Sequence, residues 1–457
     1  ERIRAAALPA MSAGRFLLSL GGEHTVTVPL VRAAVKAFGP VSVLQVDAHA
    51  DLRDTYEGSA YSHACAMRRL VDYGLRVAHA GIRSLCSEEA RLIAGRGLPV
   101  IWARDAVSGP DGEWIAKALG ALGPRVYVTV DIDGLDPSLV PGTGTHIDYV
   151  GDTFEDTQWK FVQKGPKSSA EQDNQPRYPL GYSTNKRWFE GPERGYPDKL
   201  VVIPTPEYGL EGSEYALLIR TLNSGVPNRP SNSLQQDDLI VDCIARLGSA
   251  IPVSETPNCV VRVYLPPDYQ WEDRTGPHFG FRTGCTTTTY KSTGGRFLSS
   301  SQATAEPYWP GMWIHYRRPA DRKNGLAPAF IKVRGNRQGR DFHVKDVHQF
   351  GWWTLGMTLT PDGQVHYYAK PGVDPLTEED HLTSQFPYGF RAEYFRTFFF
   401  NICNRDDGRT WSTPFVIDDP QLYLVKAARV QSIVERKLQA AEHATAKKSG
   451  GASAKQR

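Results

Sequence analysis

Cysteine is scarce in this chain, and long apolar runs are missing. Six cysteines in 457 residues, at 65, 86, 243, 259, 285 and 403, do not make a disulfide scaffold. None forms a CxxC pair, which excludes zinc-ribbon and thioredoxin readings. One bridge among the four cysteines after residue 200 stays open. No stretch approaches the ~20 consecutive apolar residues of a membrane-spanning helix. A secretory signal is also missing: the chain opens Glu1-Arg2-Ile3-Arg4, and the apolar run at 16–20 is too short for one. The opening lacks Met, which reads as a processed or cut end.

A dominant charge is lacking as well. The net charge is +3, from 53 basic and 50 acidic residues. Residues 1–146 carry fifteen of each sign, while 425–457 carry eight Lys/Arg and two Glu. The basic character therefore belongs to a tail, and nucleic-acid binding by the folded part has no electrostatic support. Hydrophobic residues make up 40% and charged residues 23%, which excludes wholesale disorder. The length allows two or three domains.

Two textures divide the chain. Residues 1–146 alternate short apolar runs with helical patterns. Strands are expected at 14–20, 41–46, 76–82, 99–102 and 125–130. Helices are expected at 26–38, 63–73, 87–94 and 112–122. Such alternation predicts a parallel sheet with helices on both faces. Residues 147–424 are rich in aromatics and turn residues and hold eight of the ten Trp. Strands are expected there at 215–222, 259–265, 312–316, 329–333, 352–359, 364–369, 396–402 and 421–425. Pro361-Asp362-Gly363 signals a hairpin between two of them. This pattern predicts an all-β antiparallel jelly-roll sandwich. Residues 426–440 fit a helix with Val430, Ile433, Val434 and Leu438 on one stripe, and 447–457 read as disordered. The expected organisation is thus 1–146, 147–424 and a basic tail, 425–457.

Three polar clusters follow predicted strands in the first part. They are Gly21-Gly22-Glu23-His24-Thr25, Asp47-Ala48-His49-Ala50-Asp51, and Asp131-Ile132-Asp133-Gly134-Leu135-Asp136-Pro137. The carboxyl ends of parallel strands converge on one crevice. A single DxD at a strand end is more often a turn or helix cap, and a lone His24 is more often structural. Three such clusters on one rim are another matter, because polar groups ending apolar strands cost stability unless paired or metal-bound. Carboxylate with imidazole suits Mn(II) and similar ions, and six ligands suit two of them.

These motifs, with the stretch from Asp51-Leu52-Arg53 to Tyr61-Ser62-His63-Ala64, resemble the ureohydrolases, the arginase and agmatinase family, over residues ~10–145. The resemblance implies an α/β/α fold and two Mn2+ per chain. His24, Asp47, Asp51 and Asp131 would bind one ion, and Asp47, His49, Asp131 and Asp133 the other. Hydroxide held between the ions would attack a guanidinium carbon and release urea, with Asp51 and His63 in the catalytic group and His63 as proton shuttle. Arginases carry an Asn two residues after the metal-binding Asp; Arg53 stands there in this chain. The expected substrate is therefore a small linear guanidino amine, agmatine-like. After its third motif the family continues with a Glu that grips the guanidinium. Here His146-Ile147-Asp148-Tyr149 follows, with no equivalent Glu. The family also carries further strands before the first motif.

Trp352-Trp353-Thr354-Leu355-Gly356-Met357, the hairpin at 361–363 and Ile417-Asp418-Asp419-Pro420-Gln421-Leu422-Tyr423-Leu424 resemble elements of concanavalin A-like (laminin-G-like) sandwiches. With an opening strand at 153–156, one sandwich would span ~149–424. Trp271, Trp309, Trp313, Trp352 and Trp353 are candidate sugar contacts, weighed against a place in the core. Glu272 and Asp273 are a candidate glycosidase pair, although neighbours on a strand point apart. Residues 404–408 are a candidate Ca²⁺ loop or a plain turn.

Three readings of function follow. The first is a manganese-dependent, agmatinase-like amidinohydrolase, impaired by truncation. The second is a glycan- or surface-binding sandwich carrying an incomplete ureohydrolase segment, and the third an unnatural fusion near Thr145. The first part suggests the cytoplasm and the sandwich an extracytoplasmic place. No membrane span is expected, nucleic acid is not an expected partner, and oligomerisation stays open.

Overall fold

The structure, a computed structural model, describes residues 2–56, 58–108, 112–134, 144–293, 300–323 and 325–453. Two compact units divide the chain, Glu1–Thr145 and His146–Arg457.

In the first unit, four short strands make one parallel sheet in the order Val100–Trp102, Val77–Ile82, Ser42–Val46, Val126–Val130. Alternation along Ser42–Val46 sends Val43 into one core cluster and Leu44 into another, so apolar helices cover both faces. Thr27–Phe38 and Ala66–Asp72 bury Val31, Ala34, Met67 and Leu70 on the Val43 side. Arg2–Ser12, a helix the sequence reading did not include, packs Ala7 and Met11 into the same cluster. Glu113–Gly120 places Ala118 on the other side. One row breaks the apolar pattern: Gln45 lies opposite His79 on one neighbour and Thr129 on the other.

The expected strand at 14–20 does not form. Phe16 and Leu20 are 94% and 92% exposed, and Leu18 is exposed as well. The alternation suits a strand, but no ladder takes these residues among those described, and an unpaired segment does not hold strand form. Val126–Val130 is the sheet edge, with Val128 and Val130 exposed.

The second unit holds two antiparallel eight-stranded sheets whose buried faces meet in one core. One sheet runs through Gln235–Asp242, Tyr394–Asn404, Gly276–Thr293, Gly311–Tyr316, Ala329–Arg334 and Asp341–Val347. The other contains Pro257–Leu265, Gly351–Leu359, Val365–Pro371 and Phe415–Leu424. Phe279 of the first sheet meets Phe415 of the second at 5.0 Å between ring centres. The expected hairpin forms, with Gly363 at φ 82° and its N–H donating to Thr360 O. A Cβ there would come within 2.9 Å of Ala392 N and O, so the turn needs glycine.

The expected opening strand at 153–156 is not one; the strand is Thr145–Gly151, just before it. Phe154 instead turns inward at φ 58° and packs between Trp159 and Trp188. Trp271, Trp313, Trp352 and Trp353 are buried, which removes them as exposed sugar plates; Trp309 remains exposed. The C-terminal helix runs Ala428–Ser453, into the segment expected to be disordered, and buries Val430. None of the six cysteines forms a disulfide among the described residues. Among the described residues, no helix is long and apolar enough to cross a membrane.

Candidate metal centre

Two neighbouring strands of the parallel sheet, one of them its edge, end side by side, and each continues into carboxylates. Ser42–Val46 runs into Asp47, and Val126–Val130 into Asp131, whose N–H donates to Val46 O. A tight turn follows, with Gly134 N–H on Asp131 O. Gly134 passes so close that a Cβ would stand 2.8 Å from Asp47 N and 3.0 Å from its Cα. That approach brings Asp133 to the loop after Asp47: Asp133 Oδ1 accepts the Ala48 N–H at 3.0 Å. On the other side, Asp51 adopts φ 53°, a conformation Asp tolerates better than most residues, and its carbonyl accepts the Arg68 N–H. Buried Glu89 holds this loop by accepting the Leu52 N–H at 3.0 Å and the Cys86 N–H at 2.7 Å.

Two three-ligand groups result. One is His24, Asp47 and Asp51, all buried; the other is Asp47, His49 and Asp133. Within each, the donor atoms lie within 4.8 Å of one another, and Asp47 belongs to both. His24 Nδ1 stands 2.8 Å from Asp51 Oδ2, 3.1 Å from Asp47 Oδ2 and 3.5 Å from Asp131 Oδ2. His49 Nδ1 stands 2.8 Å from Asp133 Oδ2. Asp131, expected to bridge, thus faces His24 but joins neither three-ligand group. His63 lies apart from both groups, half exposed, with Nδ1 3.0 Å from Glu23 Oε1 and its ring edge-on to Tyr56. The Arg53 guanidinium lies over the Tyr56 ring, 4.9 Å from its centre.

The electrostatics fit a bound cation. Burial pushes Asp47 up to about 7, with Asp51 and Asp133 adding to the rise against the His24 hydrogen bond. Burial likewise raises Asp51. Burial opposes a charged His24, but hydrogen bonds and charge from Asp47 and Asp51 carry it up to about 10. His49 rises to about 9 against its burial, through Asp133, and Asp133 falls to about 2 against its own, through His49. Carboxylates crowded this tightly resist ionising together, and a divalent cation is the charge that offsets them. His24 Nδ1 adds a second sign: it is buried among three carboxylates without a hydrogen bond of good geometry. The donor set of carboxylate oxygen and imidazole nitrogen suits a hard or borderline divalent ion. These residues therefore fit a metal.

Sequence reading missed the residues behind the ligands. His79 Nδ1 donates to Gln45 Oε1 at 2.5 Å, and Gln45 Nε2 donates to Asp47 Oδ2 at 2.6 Å and to His49 O at 3.1 Å. Burial holds His79 down at about 4, so it is neutral. Thr129 supports His24, with Oγ1 3.0 Å from Nε2, and is itself 2.9 Å from Thr27 Oγ1. The available signal was spacing: Gln45 precedes Asp47 by two, on the same strand face. Gln45→Leu should keep the fold and weaken divalent-metal binding by ~10–100-fold, since such supporting bonds orient ligands. Calorimetric titration with Mn(II) checks this; unchanged affinity would show that Asp47 needs no such support.

The other expected sites do not assemble. Glu272 is buried and occupied, by Arg274 at 3.1 Å and by Arg405 at 3.3 Å, so no free carboxylate pair stands there. The 404–408 carboxylates accept nearby backbone N–H groups, Asp406 from Ser231 and Asp407 from Arg409 and Thr410. That is a turn, and neither three-ligand group among the described residues lies there.

Residues 1–156 match the arginase family, so this segment is an arginase-family ureohydrolase domain. An N(1)-aminopropylagmatine ureohydrolase of Synechocystis sp. is 42% identical over 139 residues, 30% of this chain and 45% of that protein. One from Thermus thermophilus is 44% identical over 143 residues, 31% of this chain and 48% of its own length. An agmatinase of Pyrococcus horikoshii is 40% identical over 126 residues, 28% of this chain and 42% of that protein. The chain spans less than half the length of these relatives.

Proposed function

We propose that the first unit is a two-manganese amidinohydrolase centre that cleaves a linear guanidino amine of the agmatine kind into an amine and urea. The observation that carries the reading is the place of Asp47 in both three-ligand groups at the strand ends. On this reading His24, Asp47, Asp51 and Asp131 hold one ion, and Asp47, His49, Asp131 and Asp133 the other. When bound, two such ions supply Lewis acidity and make water ionise near neutral pH. His63 moves the proton. Its Nδ1–H is donated to Glu23, which leaves Nε2 to take a proton from water and pass it to the leaving amine. The names of the relatives support the substrate class, and Arg53 stands where arginases carry Asn. The second unit we read as a concanavalin A-like jelly-roll on the same chain.

Turnover is expected to be slow. Among the described rim residues, Asp47, Asp51, Asp131 and Asp133 face the two histidines, and Glu23 is taken by His63 and Thr25. None is left to grip the guanidinium, and positioning is a large part of catalysis. The manganese-loaded 457-residue chain should release urea from agmatine well below the ordinary ~1–10³ s⁻¹, and His63→Ala should remove what remains. No urea from a chain with metal bound would overturn the enzyme reading. Ordinary turnover would show that an acid does pair with the substrate.

A further inference from the structure

The sheet through Gly276–Thr293 buries Phe281, Phe400, Met312 and Val333 in the core, and the alternate residues point to its other face. On that face an ordinary sheet surface would be solvated. Here it is polar and buried. Arg282 is 4% exposed, Asn401 and Trp313 are buried beside it, and Asp238 lies on the neighbouring strand. Three buried polar atoms of this face have no hydrogen-bond partner: Arg282 Nε, Trp313 Nε1 and Asn401 Oδ1. Buried polar groups are normally paired, so three orphans on one face are unusual.

Arg282 is the centre of the group. It stands in a cross-strand line with Phe399, Gly311 and Arg334. A Cβ on Gly311 would collide with Arg282 Cγ, so glycine there leaves room for the side chain to lie across the sheet. Its guanidinium rests near the rings of Trp313 and Phe399, 5.5 and 5.3 Å from their centres, and Nη2 donates to Trp309 O at 2.8 Å. The neighbouring arginines have carboxylate partners: Arg194 pairs with Glu171, and Arg334 with Asp341 at 3.0 Å. Asp238 is held by Asn401 Nδ2 at 2.5 Å. Arg282 forms no ion pair within 4.0 Å among the described residues; Asp238 is the opposite charge that acts on it, and a buried cation is costly unless closely paired. Burial and nearby Arg334 draw it down to about 10 against the pull of Asp238, which leaves it charged at neutral pH.

Arg282 opens on a cavity of about 440 Å³ lined by three arginines, Arg194, Arg282 and Arg334, against two acids, Glu193 and Asp238, with Trp309 at its side. Trp309 is 40% exposed, so part of an aromatic face is open at the cavity. We propose that this cavity of the second unit binds a carboxylate-bearing sugar, with its carboxylate on the Arg282 fork and its ring stacked on Trp309. Guanidinium and carboxylate match as a planar, two-bond pair, and an open indole face suits a sugar ring. The site is separate from the metal centre and does not rest on its chemistry.

Calorimetric titration of the full chain with a galacturonate trisaccharide tests it, with cellotriose and acetate as comparators. The trisaccharide should bind at one site per chain, and cellotriose and acetate at least ~10-fold more weakly, each lacking one of the two contacts. Arg282→Gln should weaken uronate binding by ~30-fold or more. Trp309→Ala, at an exposed position, should weaken it by ~10-fold with an unchanged melting temperature, and so tests the site even if the Arg282 variant misfolds. The proposal is overturned if the uronate fails to bind, if cellotriose or acetate binds as well, or if Trp309→Ala binds like the parent.

Discussion

Asp47→Ala is expected to strip metal from both positions at once, weakening each by at least ~100-fold. The reason is geometric. Asp47 is the one residue common to the two three-ligand groups, and it is fixed there from two sides. Its Oδ1 accepts the His49 N–H at 2.7 Å, and Oδ2 accepts from Gln45 at 2.6 Å. Asp133→Ala should behave differently, since Asp133 belongs only to the His49 group and pairs with His49 at 2.8 Å. That variant should lose one equivalent and keep the other. Asp47→Asn supplies the control for folding, because the amide oxygen still accepts the His49 N–H while the ligand charge is gone. Elemental analysis after dialysis reads all three. A full equivalent left on Asp47→Ala would mean that the two positions do not share this residue.

Lys167→Met is expected to cost the second unit about 3 kcal/mol or more, as the loss of one partner from a buried ion pair does. The Lys167 ammonium is buried between two carboxylates, 2.6 Å from Asp237 Oδ2 and 3.0 Å from Asp198 Oδ1, and also donates to Asn223 O at 2.7 Å. Burial already pushes Asp237 up to about 8, against the pull of Lys167. Without the ammonium, at least one acid must stay protonated. A carboxyl whose folded pKa lies above its unfolded value loses stabilising power as pH rises between the two. The deficit of Lys167→Met should therefore be larger at pH 8 than at pH 5. Lys167→Met combined with Asp237→Asn should regain part of it. Urea unfolding of the full chain, followed by Trp fluorescence, measures these differences, since eight of ten Trp lie in the second unit. A loss below ~1 kcal/mol at both pH values would show that the pair is not buried as described.

The candidate ligand residues were legible because each set is nearly consecutive in sequence and follows a short apolar run. Asp47, His49 and Asp51 alternate within five residues, and strand geometry then carries them to one rim with His24 and Asp133. Their support was not legible. Gln45 and His79 are single polar residues inside apolar strands, and only the parallel register places them side by side. The misread segment at 16–20 shows the opposite error: Phe16, Leu18 and Leu20 alternate as a strand should, but pairing depends on a neighbour that local pattern cannot supply. In the all-β unit, fewer than half of the described strands were legible from aromatic and β-branched runs, and Gln235–Asp242 and Asp341–Val347 were not among them. The long strand Gly276–Thr293 was not, because its glycines and threonines read as turn-like. Nor was the fate of the tryptophans. Trp309 and Trp313 lie four residues apart, yet the sheet buries one and exposes the other. Arg282 looks like any surface arginine until cross-strand register sets it over Gly311, buried and without a close ion pair among the described residues.

The manganese content of the 457-residue chain, measured after loading and exhaustive dialysis, tests most directly whether the strand ends of the first unit hold two metal ions. About two equivalents per chain are expected, one for each of the two three-ligand groups that share Asp47. A well-folded chain that retains no manganese, cobalt or zinc would contradict the two-ion reading.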